Sequence, residues 1–139
     1  MFSEIIVPVD IGQKEQARLA IRAAKLNLAP DGQMMLLHVL EPIPTYVAAQ
    51  LESSVLDSAA DQARLVLDEL KASEGLPAET QVVVETGRTY QTIVSHIKDP
   101  QAQAIVMSAH SPQFSDIVLG SVAGQVVRHA KCSVFVLRS

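Results

Sequence analysis

Five short apolar runs, each parted from the next by a stretch whose apolar residues recur every three or four positions, constrain this chain more than any other feature. The runs are Glu4-Ile5-Ile6-Val7-Pro8-Val9-Asp10, Met34-Met35-Leu36-Leu37-His38-Val39-Leu40, Gln81-Val82-Val83-Val84-Glu85, Ala104-Ile105-Val106-Met107 and Val134-Phe135-Val136-Leu137. Near-continuous rather than alternating hydrophobicity marks strands covered on both faces, as in parallel sheets. Between the first two, Ala17, Ala20, Ile21, Ala24 and Leu28 predict a helix of about four turns that Pro30-Asp31-Gly32 ends. Val55, Ala59, Ala63, Val66, Leu67 and Leu70 predict another, closed by Gly75-Leu76-Pro77, and Pro42 and Pro44 place a loop before it. Ile93, Val94 and Ile97 mark a short helix stopped by Asp99-Pro100, and Val122, Val126, Val127 and Ala130 mark the last. A helix in each connection is what parallel pairing requires, because the chain must return to the same end of the sheet. The expected fold is a doubly wound, Rossmann-like α/β domain: a five-stranded parallel sheet with helices on both faces.

Composition removes several function classes. At 139 residues the chain predicts a single domain, 1–139, and 48% hydrophobic against 19% charged residues excludes intrinsic disorder. Eleven Lys+Arg against fifteen Asp+Glu give −4 with no basic cluster, and there is no Trp to stack on bases, so nucleic acid is not an expected partner. No apolar run is long enough to span a bilayer, so no direct membrane insertion is expected. A lone Cys132 and no signal-like start predict a cytoplasmic protein.

In doubly wound sheets ligands bind outside the carboxyl ends of the strands, where strand order reverses. Asp10 follows the first run directly, and Ser108-Ala109-His110-Ser111 follows the fourth, leading to Leu119-Gly120-Ser121 at the last helix. Ser121 is the expected N-cap, and the unpaired N–H groups of that first turn favour a phosphate. Asp10 has two readings, a cap on the following turn or a ligand contact. His38, His96, His110 and His129 are dispersed and show no metal spacing; His38 reads as a core histidine bonded to a loop, and Cys132 as a quiet, half-buried thiol. No G-x-S-x-G elbow supports a hydrolytic triad of Asp10, His110 and a serine. Neither G-x-G-x-x-G nor G-x-x-x-x-G-K-[ST] occurs, which disfavours dinucleotide and P-loop chemistry.

From Ile6-Val7-Pro8-Val9-Asp10 through His38-Val39 to Leu119-Gly120-Ser121-Val122-Ala123 and the tail Val127-Arg128-His129-Ala130-Lys131-Cys132-Ser133-Val134, the chain resembles a universal stress protein domain. In ATP-binding members the loop after strand four reads G-x-x-G, nine residues, then G-S or G-T. Here Ser108 and Ser111 replace both glycines, adding a Cβ and resisting positive φ, and eight residues, Pro112 to Leu119, precede Gly120-Ser121. The shorter loop is similar to a subgroup reading approximately A-S-H-R-P, in which Ser108 matches the alanine and Ser111 the arginine.

The resemblance implies ATP or AMP as ligand. Asp10 would face the ribose, the backbone at Val39 would hydrogen-bond adenine, and Pro8 and Val9 would line the base pocket. Met107, Ser108, His110 and Ser111 would surround the phosphates from one side and Gly120, Ser121 and Val122 from the other. Because this set offers no Lys or Arg, Mg²⁺ is an implied companion. No residue is an evident base for activating water, so the chain is expected to be a binding module and not an enzyme, with ATP turnover at most slow. The family also implies strand order 3-2-1-4-5, which puts Ser133, Val134, Phe135, Val136 and Leu137 at an edge that a second copy would cover in a homodimer. A second reading drops the nucleotide and keeps a dimeric adaptor that contacts a protein, such as a membrane transporter, through the loop from Pro42 to Gln50.

Overall fold

Ile5, Ile6 and Val7 have no solvent exposure, and successive side chains of a strand leave on opposite faces, so the first run must be covered on both sides. In the computed structural model, which describes residues 1–50, 53–109 and 120–138, Glu4 to Pro8 of this run lie within β1 (Phe2–Pro8) at the centre of a parallel sheet, and Val9 and Asp10 follow the strand. The other strands are β2 (Leu28–Leu40), β3 (Gln81–Thr86), β4 (Gln103–Ser108) and β5 (Ser133–Leu137), in the order β3-β2-β1-β4-β5. This is the expected fold and the implied strand order. The helices are α1 (Lys14–Asn27), α2 (Thr45–Ala48), α3 (Ser53–Ser73), α4 (Thr89–Ser95) and α5 (Ser121–His129).

Two cores result, one on each face. Ala20, Ile21 and Ala24 of α1 and Leu67 and Leu70 of α3 pack with Ile5, Val7, Leu36 and Val106. Ile93 of α4 and Ala123 and Val126 of α5 pack with Ile6, Leu37, Ile105 and Met107. Each fully buried branched side chain contributes about 1.5–3 kcal/mol by leaving water. Among the described residues no helix is long and apolar enough to cross a membrane.

Four local expectations need correction. Pro30-Asp31-Gly32 does not end α1; the helix stops at Asn27, Leu28 is extended at φ −84°, ψ 138°, and β2 already runs through the proline. Proline disfavours helical backbone at the preceding Ala29, so the chain is extended before it arrives. Leu28 pairs with Phe2 and Gln33 with Glu4, so the intervening residues bulge from the ladder. Gly32 is needed there, since a Cβ would meet Leu28 Cγ at 2.8 Å. The loop from Pro42 to Gln50 contains α2, a single turn that Pro44 opens by accepting the Val47 N–H at 2.9 Å. The apolar stripe of α3 is buried only from Ala63 onward; Val55 is 49% exposed and Ala59 is exposed, because the helix start extends past the sheet. Finally, Gly120 and not Ser121 is the N-cap of α5, and no side chain caps that end.

The closing signal of α3 behaves as expected. Gly75 adopts φ +64°, and Leu76 N–H to Lys71 O (3.0 Å) with Gly75 N–H to Ala72 O (3.1 Å) completes a Schellman ending. Arg22 of α1 then reaches Glu74 with Nε and Nη2 at 2.9 and 3.3 Å, tying α1 to that ending. The Arg22 hydrogen bond holds the Glu74 carboxyl below its ordinary value. A depressed carboxylate adds stability above its unfolded pKa and loses it as pH falls through the folded value. Arg22→Gln is therefore expected to flatten the acid limb of stability against pH, below the ordinary carboxylate range, in urea melts repeated from pH 6 to pH 3.

The turn before β4 depends on one buried amide. Gln103, 5% exposed, accepts from Lys98 N–H and Asp99 N–H at 2.6 Å each, and donates to His96 O and to the Glu4 carboxylate. Gln103→Leu removes the acceptor from both N–H groups and the donor from Glu4. It is expected to cost about 2–3 kcal/mol, read as a lower urea midpoint at unchanged slope.

Candidate functional site

β1 and β4 pair only from Glu4–Gln103 to Ile6–Ile105. Beyond that point each strand stays with its outer neighbour: Pro8 pairs with Leu37, and Ser108 with Leu137. Val9 N–H continues to Leu37 O and Ala109 N–H to Leu137 O, both at 2.8 Å. The two central strands therefore part at their carboxyl ends, where the crossovers leave for opposite faces. A cleft of about 400 Å³ fills the gap, within the range of small-molecule sites.

Its lining gathers every nucleotide-binding candidate that lies among the described residues: Pro8, Val9 and Asp10 from the end of β1, Val39 from β2, Met107 and Ser108 from β4, and Gly120, Ser121 and Val122 from α5. His110 and Ser111 lie outside the described residues, as does the loop through Leu119. Position 108 does not call for a positive φ: Ser108 is the last residue of β4, and no non-glycine among the described residues has positive φ. Its Cβ and hydroxyl are what distinguish it from glycine there.

Three helix starts converge on the cleft. Gln13 and Gln16 come from the start of α1, Thr89 from α4, and Gly120 to Ala123 from α5. In α5 the first intrahelical bond runs from Gly124 N–H to Gly120 O at 2.9 Å, so the N–H groups of Ser121, Val122 and Ala123 precede the ladder. With the dipole they make an anion-receptive end. Apolar lining comes from both faces of the sheet, Ala17 and Ala20 on the side of α1 and Leu37, Ile93 and Met107 on the side of α4 and α5.

Asp10 is exposed, and its Oδ1 accepts the Gly12 N–H at 2.9 Å. It thus caps the turn into α1, while among the described residues no hydrogen bond engages Oδ2. His38 also lines the cleft; its Nδ1 lies 2.7 Å from Val9 O, so that nitrogen carries the proton and bolts the end of β2 to the residue before Asp10. The expected core histidine is thus a cleft histidine. His38, Gln13, Gln16 and Thr89 escaped sequence reasoning as site residues. Their signal was positional: a polar residue late in a strand, or in the first turn of the helix that follows a strand.

The remaining candidates stay apart from the cleft. Among the described residues no three His, Cys, Asp or Glu side chains cluster to hold a metal ion. Cys132 packs half-buried against the α4–α5 core, and burial pushes its thiol up, away from the reactive thiolate.

The universal stress protein family profile matches residues 1–138. Universal stress protein G of Shigella flexneri is 28% identical over 148 aligned positions, covering 99% of this chain and 100% of that one. The structure of universal stress protein UspA from Lactobacillus plantarum superimposes with a TM-score of 0.77 at 26% identity, over 99% of this chain and 98% of that one. A universal stress protein crystallised in complex with cAMP shares the fold, with a TM-score of 0.67 at 16% identity over 99% and 97% of the two chains.

His38→Leu keeps the packing volume near that of histidine but strands the Val9 carbonyl. It is expected to cost about 1 kcal/mol, read in chemical denaturation.

Proposed function

The chain belongs to the universal stress protein family, and from that premise we propose that it is a binding module for an adenine nucleotide, ATP or AMP, whose occupancy serves a regulatory purpose in a stress response. The observation that carries this reading is the meeting of all nine described nucleotide-binding candidates on one cleft at the switch point, together with the first-turn N–H groups of α5 that precede its ladder and a largely apolar lining. A relative of the same fold holding cAMP supports it.

In the bound state Asp10, held by its turn, presents Oδ2 to the ribose hydroxyls, and the apolar wall with Pro8 and Val9 takes the base beside the Val39 backbone. Gly120, Ser121 and Val122 receive the phosphates, opposite Met107 and Ser108. The described lining holds one carboxylate, Asp10, and its Oδ1 is already engaged. That does not make a protein-held magnesium site, since such sites use carboxylates together with phosphates. Mg²⁺ would enter on the nucleotide. In this reading the module acts by binding, with ATP turnover at most slow.

Occupancy would bias the segment from Ser108 to Leu119 between states that a cytoplasmic protein partner reads. Titration of ATP with Mg²⁺ is expected to give heat and a rise in melting temperature; ligand at one hundred times Kd adds about 2.7 kcal/mol. Silence in both at millimolar ligand would refute the nucleotide reading. Gly120→Val puts two methyls where the backbone must approach a phosphate, while φ −59° there suits any residue. It is expected to abolish binding.

One feature favours the second reading, a dimeric adaptor working by protein contact alone, with a membrane transporter among its partner classes: Tyr46 is 74% exposed in the segment from Pro42 to Gln50. Under that reading Gly120→Val leaves partner capture intact. Both readings include a homodimer. β5 is an edge of the sheet, and Val134, Phe135, Val136 and Leu137 are only half-buried, so pairing of Ser133 to Leu137 across a two-fold axis would satisfy the open backbone edge. Light scattering at micromolar concentration is expected to return twice the chain mass; the monomer mass would refute the dimer.

A further inference from the structure

The ends of β1 and β2 carry an inference that rests on the nucleotide reading and deepens it, to the sugar the nucleotide must bear. Two side chains lining the cleft are each pinned through one atom of a polar end whose other atom has no hydrogen-bond partner among the described residues. Asp10 is held by Oδ1 on the Gly12 N–H and leaves Oδ2 open. His38 is held by Nδ1 on Val9 O and leaves Nε2 open. His38 is half-buried, and its Nε2 is not among the unpartnered atoms sealed from solvent, so its open side is the cleft that the ring lines.

Both open atoms are acceptors by their chemistry. A carboxylate oxygen accepts and has nothing to donate. A carbonyl cannot donate either, so the bond to Val9 O puts the proton of the neutral imidazole on Nδ1 and leaves Nε2 with a lone pair. The two residues stand toward the carboxyl ends of adjacent strands: Pro8 pairs with Leu37, Val9 N–H carries on to Leu37 O, and Val9 O takes His38. Gln13 and Gln16 also line the cleft, but an amide offers donor and acceptor alike, and no side-chain hydrogen bond holds either of them in one orientation. Every group invoked lies among the described residues.

A ligand that fits two fixed acceptors brings two donors on neighbouring atoms. On a nucleotide these are the 2′ and 3′ hydroxyls of ribose. We propose that His38 Nε2 and Asp10 Oδ2 form a two-acceptor clamp for this vicinal diol, so that the cleft takes ribonucleotides and discriminates against their 2′-deoxy and 3′-deoxy forms. Each acceptor takes one hydroxyl. A side chain pinned beforehand loses little rotamer freedom when the ligand arrives, and an analogue lacking one hydroxyl leaves a desolvated acceptor unpaired. His38 is thereby a specificity-determining residue as well as the bolt on the Val9 carbonyl.

The test is calorimetric titration of the full chain with AMP and with ATP plus Mg²⁺, each beside its 2′-deoxy and 3′-deoxy analogues. Both deoxy forms of the tighter ligand are expected to bind at least about fivefold more weakly than the ribonucleotide. His38→Asn keeps a donor for Val9 O, since its Nδ2 stands as many bonds from Cβ as Nδ1 does, but has no atom in place of Nε2. In this variant the penalty for one of the two deoxy forms is expected to fall below about twofold while the other persists. A measurement on the unaltered chain serves if the variant does not fold. At mildly alkaline pH the ¹⁵N resonance of His38 Nε2 is expected to report an unprotonated nitrogen, to shift when the ribonucleotide binds, and to keep its place with one of the deoxy forms. Ribonucleotide and deoxy forms binding alike, both penalties surviving in His38→Asn, or an Nε2 that carries a proton or is unmoved by the ribonucleotide would overturn the clamp and leave the nucleotide reading standing. Absence of binding by all of these ligands would overturn both.

Discussion

The parting of β1 from β4 after Ile6–Ile105 is the constraint on which the site depends. A parallel sheet brings every strand's carboxyl end and every following helix start to one side. Only at the switch point do neighbouring strands send their connections to opposite faces, α1 toward the Leu36 and Val106 core and α5 toward the Leu37 and Met107 core. Had the β1–β4 ladder run on to Pro8 and Ser108, those ends would be sealed by backbone hydrogen bonds. Because Val9 and Ala109 turn their N–H groups to Leu37 and Leu137 instead, the ends stay satisfied while the space between them stays open.

The same arrangement explains what the sequence could and could not reveal. Apolar periodicity placed every strand and the four longer helices, since each buries a face whose pattern survives in one dimension. It failed where the deciding contact lies elsewhere in the chain. Pro30-Asp31-Gly32 has the composition of a turn, yet Leu28 already pairs with Phe2, so the three residues form a bulge inside a strand. The stripe of α3 reads as continuous from Val55 to Leu70, but the sheet beneath supports it only from Ala63. No local signal reports where a packing surface stops.

Asp10 shows how a structural and a ligand-binding reading coexist on one side chain. The Gly12 N–H takes Oδ1 and fixes the carboxylate, and a carboxylate fixed in advance loses less rotamer freedom when a ligand arrives. Gly12 itself is close, since a Cβ there would meet Oδ1 at 3.3 Å. His38 extends the same preorganisation one residue back by holding the Val9 carbonyl. The rim of the cleft is thereby held from β1 and β2 together.

The donors most suited to a phosphate are the least visible in sequence. A Lys or Arg can be read as a letter, whereas the N–H groups of Ser121, Val122 and Ala123 belong to whatever residues begin α5 and become donors only because the ladder starts at Gly124. Sequence reasoning could place that start through Gly120-Ser121, and it erred by one residue on which of the two caps it. The error is instructive. A serine at N-cap would have turned its own oxygen onto one of these N–H groups and consumed a donor; a glycine there consumes none. With Gly120 as the cap, no side chain of the cap residue takes any of these N–H groups.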